Sequence, residues 1–259
     1  KVTVDEQGKP RDVEGVFKNG KAEGAWVEYW IGQLWRKGNF KNGKEDGAWV
    51  YYHDNGQLSQ KGNYKNGKRE GAWIGYHYNG QLSSKGNFKN GKKEGAWVSY
   101  NTDGSVKSES TGNFKNGKED GAWIYYHKNG QLWDKGNYKN GKREGAWIGY
   151  HNNGQLNYKG NFKNGKKEGA WVSYNTDGSV KSESTGNFKN GKEDGAWIYY
   201  HKNGQLWDKG NYKNGKREGA WIGYHNNGQL NYKGNLKKGK KEGAWVGYEE
   251  NGTVQKRLT

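Results

Sequence analysis

Polar and apolar positions alternate over short stretches of this chain, and the stretches recur. Residues 47–70, GAWVYYHDNGQLSQKGNYKNGKRE, give the pattern in full. Successive residues of a strand point to opposite faces, so Trp49, Tyr51 and His53 share one face and Ala48, Val50 and Tyr52 the other. Two Asn-Gly pairs, Asn55-Gly56 and Asn66-Gly67, interrupt the alternation. Asn-Gly is the strongest short-range hairpin signal, because both central residues of a type I′ turn need positive φ. The spacing predicts two antiparallel strands per repeat, closed by two-residue turns. In that register Asp54 faces Gln57, His53 faces Leu58 and Trp49 faces Gly62, with the indole covering the glycine backbone. Carried through Asn66-Gly67, the register keeps Leu58, Gly62, Tyr64 and Trp73 on the tryptophan face.

The Gly-Ala-Trp step occurs ten times, with tryptophans at 26, 49, 73, 97, 123, 147, 171, 197, 221 and 245. After a shorter first interval the spacings run 24, 24, 26, 24, 24, 26, 24, 24, which lays a 74-residue cycle over the repeat. Residues 85–161 recur unchanged at 159–235. The two extra residues per cycle fall in 105–114 and 179–188, and an insertion of two preserves the face of every later side chain. They predict longer hairpins or bulges that adjust the twist. A fixed period of this length marks a repeat architecture. The expected fold is all-β: an elongated tandem β-hairpin array in one continuous, twisted antiparallel sheet of about 20 strands, roughly 95 Å long. The whole chain, 1–259, reads as one repeat domain. Residues 1–22 form an N-terminal half-repeat cap, 23–248 about ten hairpins, and 249–259 a C-terminal capping strand. Pro10, Lys256 and Arg257 suit exposed strand edges.

Composition changes the picture in four ways. A hydrophobic content of 30% with a net charge of +17 leans toward disorder, but 14 Trp and 19 Tyr overrule it, since each ring buries about 150 to 250 Å². The absence of cysteine excludes disulfides, zinc-thiolate sites and a cysteine nucleophile. No apolar run reaches the ~18 residues of a membrane-spanning helix. Methionine is absent too, even at position 1, as expected of a processed product or a fragment, a removed signal peptide being one explanation; a secreted or cell-surface location is favoured slightly over a cytoplasmic one.

The string NGKxxGAWxxYxxNGQL, as in Asn42 to Leu58 and Asn116 to Leu132, resembles the variant form of the MORN (membrane occupation and recognition nexus) repeat over about residues 13–254. The resemblance implies an all-β repeat protein with an interaction role, similar to bacterial antitoxin-like and surface-associated proteins and to eukaryotic scaffolds that recruit proteins or touch membranes. It carries no catalytic residues, because the motif consists of turn and packing positions.

Three groups of side chains are candidates for a role. Trp49, Trp73, Trp97, Trp123, Trp147, Trp171, Trp197, Trp221 and Trp245 hold the sheet together. Aromatics at positions that vary between repeats are candidates for contact: Tyr51, Tyr125 and Tyr199 after the tryptophan, and Trp133, Trp207, Tyr158 and Tyr232 in the returning strand. They are expected to be exposed, as contact aromatics are. Lys65, Lys68, Arg69, Lys92, Lys93, Lys142, Arg143, Lys216 and Arg217, with Lys41, Lys44 and Lys89, line the NGK turns as a basic edge suited to anionic partners. The Asp or Glu before each Gly-Ala-Trp glycine breaks up that field. The six histidines occupy one repeat position about 10 Å apart, too far to share a metal, and read as strand-end packing. No metal site, cofactor or catalytic group is expected. The reading is a non-enzymatic scaffold for multivalent protein contact or spacing. A carbohydrate-binding surface protein using the aromatic rank is the alternative, and anionic lipid or nucleic acid binding through the basic edge the third.

Overall fold

The computed structural model describes residues 2–4, 10–106, 112–180 and 186–255, with side chains from Asp12 onward. Among these there are 22 strands and no helix. The chain divides into two compact units, Lys1–Gly130 and Gln131–Thr259. In the first unit β1 (Val2–Val4) pairs with β2 (Pro10–Lys18), and the later strands pair antiparallel in chain order, except that β5 (Lys44–Glu45) and β6 (Gly47–Tyr52) both pair with β4 (Gln33–Lys41). The second unit repeats the arrangement from β13 (Leu132–Lys139) to β22 (Lys240–Gly247). Since β1 covers β2, Pro10 opens an inner strand, where the lost N–H is tolerated. Lys256 and Arg257 lie outside the described residues.

The two kinds of Asn-Gly turn differ. At the NGK turns both residues take positive φ, 51° at Asn66 and 77° at Gly67, giving the expected type I′ hairpin. At Asn55-Gly56 only the glycine does, at 78°. Gly56 N–H donates to His53 O (3.0 Å) and His53 N–H to Gln57 O (2.8 Å), so the loop has three residues and ends in a glycine bulge. The asparagine is occupied otherwise: its Oδ1 accepts from Gln57 N (3.0 Å) and its Nδ2 donates to Tyr78 O of the next hairpin (2.9 Å). Leu58 therefore pairs with Tyr52 and not with His53, while Trp49 still faces Gly62.

A second irregularity follows every NGK turn. Asn63 pairs with Glu70, but Gly62 pairs with Trp73, so Gly71 and Ala72 bulge out, with Gly71 at φ 68°. Two residues leave the face unchanged, which is why Trp73 stays with Trp49. The bulge also moves the indole: Trp73 lies over Gly62 and Trp49 over Gly38, each on the glycine of the strand before it. The expected cover of Gly62 by Trp49 is thus made by Trp73. Its Nε1–H donates to Asn63 O (3.0 Å), fixing the ring against the backbone. All ten Gly-Ala-Trp indoles are buried over such glycines, and Trp26 differs only in donating to Glu28 Oε1 (3.0 Å).

Glycine also sits between the tryptophans where the cycle is longer: Gly112 pairs with both Trp97 and Trp123. Of the segments 105–114 and 179–188, expected to hold the extra residues as longer hairpins or bulges, residues 107–111 and 181–185 lie outside the described residues. The short first interval has a local cause. Ile31-Gly32 closes the first hairpin as a two-residue turn, which forces Ile31 to φ 49°.

Candidate binding face

On the tryptophan face of each unit the side chains form three rows. The central row is the tryptophans over their glycines. Beside it runs a row of rings that meet the indoles edge-on, such as Phe40 on Trp49 (5.1 Å), Phe88 on Trp97 (5.0 Å) and Tyr138 on Trp147 (5.2 Å). Cations complete it. The Arg69 guanidinium lies 4.2 Å from the Trp73 ring centre, Lys93 Nζ 4.4 Å from Trp97, Arg143 4.0 Å from Trp147 and Arg217 4.0 Å from Trp221, within cation–π range. Burial lowers the Lys93 ammonium below its usual value, opposed by the charge of Glu119.

The basic edge is accordingly thinner than its sequence suggests. Lys65, Lys68, Lys92, Lys142 and Lys216 are exposed, together with Lys41, Lys44 and Lys89. Arg69, Lys93, Arg143 and Arg217 fold onto the tryptophans instead. The acids before the Gly-Ala-Trp glycine are staples between neighbouring hairpins: Glu70 Oε2 accepts from Asn90 N (2.8 Å) and Glu144 Oε2 from Asn164 N (2.8 Å). At the opposite edge the histidines do similar work, with His77 Nε2 bonded to Tyr100 O (2.8 Å) and His151 Nε2 to Tyr174 O (2.9 Å). Among the described residues no group of three His, Asp or Glu side chains is placed to hold a metal ion.

The third row varies from hairpin to hairpin, and it corrects the expected exposure of the tyrosines. Tyr51 and Tyr199 are half-buried, each tilted between two tryptophans, and their hydroxyls bond to Tyr64 (3.0 Å) and Tyr212 (3.1 Å). Tyr125 stacks on Trp123 (5.8 Å). Tyr158 and Tyr232 lie over Gly149 and Gly223 and stack against Trp171 and Trp245, both at 5.5 Å. A free varying position on a one-layer sheet is also a covering position, which is why these rings turn down onto the indoles. Trp133 and Trp207 differ, being 42% and 41% exposed. Trp207 occupies the bulge between Leu206 and Asp208, edge-on to Tyr199 at 6.0 Å and 6.1 Å from His201.

The row also contains buried carboxylates that sequence reasoning missed. Asp134 and Asp208 are 3% and 2% exposed and Glu28 is 4% exposed. Tyr158 Oη donates to Asp134 Oδ1 (2.7 Å), and Arg143 Nη2 lies 3.0 Å from Oδ2. Tyr232, Asp208 and Arg217 repeat the triad at 2.8 and 3.2 Å. Burial pushes both aspartate carboxyls above their usual range, against the hydrogen bond from the tyrosine and the charge of the arginine. The Tyr158 phenol rises for the same cause, and that of Tyr232 is pushed up to about 12. The signal was available: an acid two residues before the covered glycine, as Asp134 is before Gly136, must face the tryptophans.

Comparison with known families agrees with this geometry. The signature of the MORN repeat variant matches residues 45–66, 69–90, 119–140, 143–164, 193–214 and 217–238, and that of the MORN repeat matches 61–72, 85–96, 135–146 and 209–220. No curated protein matches the chain by sequence. The variant signature falls on the first two hairpins of each 74-residue cycle, from the bulged Gly-Ala-Trp strand to the following NGK turn. With about half its residues inside those six segments, the chain belongs to the MORN repeat variant family.

Proposed function

We propose that this chain is a non-enzymatic scaffold that binds proteins through the tryptophan face, with Trp133 and Trp207 as anchors. The carrying observation is Trp207: a large ring left 41% exposed on a frame that buries every Gly-Ala-Trp indole. Exposed tryptophan held in place by its neighbours is the usual make-up of an interface hot spot, and MORN repeats are often found in protein or membrane-lipid interaction. The basic edge supports lipid or nucleic acid less well, because the second position of each turn is either a cation engaged over a ring, as Arg69, Lys93, Arg143 and Arg217 are, or not a cation, as at Glu45 and Glu119. Recurrence of Trp133 and Trp207 at a 74-residue spacing suits avidity from two weak contacts. The test is partner capture with the native chain and with Trp133→Ser, Trp207→Ser and the double variant. Capture that survives high salt and falls with each substitution supports the reading. Binding to anionic vesicles or nucleic acid that collapses with salt, with capture unchanged in the variants, refutes it.

A further inference from the structure

In the first unit the same three rows leave a gap where the second unit has a covering ring. In the second unit, Asp134, Gly149, Tyr158 and Ser173 stand side by side on neighbouring strands. The Tyr158 ring lies over Gly149, stacks on Trp171 and reaches Arg143 (3.3 Å) and Asp134 through its hydroxyl. Tyr232 does the same over Gly223. The corresponding strands of the first unit bring together Gln60, Gly75, Ser84 and Ser99. Around them the frame is unchanged, with Arg69, Trp73, Phe88, Lys93 and Trp97 where Arg143, Trp147, Phe162, Lys167 and Trp171 stand.

With serine in place of tyrosine, a cavity of about 240 Å³ opens between Arg69, Gly75, Ser84, Lys93, Trp97 and Ser99. That is below the ~300 Å³ of the smallest drug-sized sites, and it suits one ring. Trp73 and Trp97 are 3% and 5% exposed, against 0% and 2% for Trp147 and Trp171. Charge changes as well. Gln60 replaces the aspartate, so Arg69 donates to a neutral Gln60 Oε1 (3.2 Å) and has no carboxylate partner among the described residues. Lys93 stands beside it, half-buried over Trp97 and Phe114 (4.4 and 4.9 Å). The socket has the walls of a tyrosine site and one positive charge more than its filled counterparts.

We propose that this socket takes a tyrosine side chain from an acidic segment of a protein partner. The partner's ring stacks on Trp97 over Gly75 as Tyr158 stacks on Trp171 over Gly149. Its hydroxyl meets Arg69 and Gln60, and a neighbouring carboxylate supplies the charge that Asp134 supplies elsewhere. The proposal rests on the protein-binding reading and names its recognition element in the first unit.

The probe is the capped tripeptide Asp-Tyr-Asp, titrated into the full chain while the ring resonances of Trp73 and Trp97 are followed by NMR. Binding should shift both sets, and should weaken at least about tenfold (1.4 kcal/mol) with Asp-Phe-Asp or Asn-Tyr-Asn. Ser84→Tyr, which copies the residue at 158 and 232, should abolish binding and leave the fold intact. Gln60→Asp should weaken Asp-Tyr-Asp and leave Asn-Tyr-Asn unchanged. Equal binding by the native chain and Ser84→Tyr, or no shift at millimolar peptide, overturns the proposal. A capped glucuronide that shifts the same resonances more strongly than the peptide would also overturn it, in favour of a sugar site. Either failure leaves the anchors Trp133 and Trp207 untouched, so the wider reading is judged separately by the capture experiment.

Discussion

Replacing Gly160 by alanine is the most direct test of how this sheet is held together. Gly160 lies under Trp171, and a Cβ built there would overlap the ring at Cδ2 and Cε2 and sit 2.7 Å from Cγ. Ordinary carbon contacts are about 3.5 to 4.0 Å, so the indole must lift by about 1 Å. Overpacking of this kind costs about 1 to 3 kcal/mol. A lifted ring also weakens the bond from Trp171 Nε1–H to Asn161 O, now 3.0 Å long, for a further ~1 kcal/mol. The expected loss is therefore about 2 to 4 kcal/mol. Gly145→Ala is the control: its φ is 67° and nothing lies within 4 Å of the new methyl, so it should lose only the ~1 to 2 kcal/mol of a left-handed alanine. Urea unfolding followed by tryptophan fluorescence measures both. Repeating Gly160→Ala in a Trp171→Leu background separates collision from backbone effects, because the cost should largely vanish when the ring is gone. A loss below about 0.5 kcal/mol, or one that persists without the indole, would refute the account.

Other outcomes follow from single contacts. Ile31→Asn should raise stability by about 1 kcal/mol, because a β-branched residue at φ 49° is strained where asparagine is tolerated; unchanged unfolding midpoints would count against it. Tyr158→Phe should cost about 1 to 3 kcal/mol, since Asp134 loses its 2.7 Å donor while remaining buried. Asp208→Asn should change the pH dependence. Burial raises the Asp208 carboxyl above its ordinary 3.8, so the folded chain holds this proton more tightly than the unfolded one. The contribution to stability is full below the ordinary value and falls as pH rises through the raised one. Unfolding of the native chain and of the asparagine variant, compared from about pH 3.5 to 6.5, should show the native chain losing ground as pH rises; a gain would reverse the assigned cause.

The face of each tryptophan was legible in the sequence, while the glycine beneath it was not. Alternation with period two carries through any irregularity of two residues, so Trp49, Gly62 and Trp73 fall on one side whether or not Gly71 and Ala72 bulge. Which glycine an indole covers depends on that bulge, and the only trace of it is a glycine that needs φ 68°. Gly71 reads equally well as a turn residue. The same limit applies to Asn55-Gly56, where the dipeptide signals a turn but the hydrogen bonds of the asparagine side chain select three residues over two. Tyr51, Tyr158 and Tyr199 were misjudged for a different reason. Variation at a position implies exposure in a layered protein, but here no second layer exists among the described residues of a unit to cover the tryptophans, and side chains of the same face must do it.

That requirement accounts for the 74-residue cycle. Four residues before the tryptophan the cycle places Glu119, Arg143 and Lys167, and two residues after it Tyr125, Gly149 and Ser173. Where the first position is Arg or Lys, the cation covers the ring, as Arg143 does at 4.0 Å and Lys167 at 4.3 Å, and the second position is small. Where it is Glu, a carboxylate is repelled by the negative face of the ring, and tyrosine takes over: Tyr125 on Trp123 and Tyr199 on Trp197, each at 5.8 Å. Glu45 and Tyr51 around Trp49 obey the same rule. The two positions therefore form one covering device with two settings. Where the first position is Arg, the small setting leaves a gap over Gly75, Gly149 and Gly223, which the next strand must fill. Tyr158 and Tyr232 fill two of these gaps. Ser84 leaves the third open beside an arginine without a carboxylate, and this departure from the covering rule is what distinguishes a recognition position from a structural one.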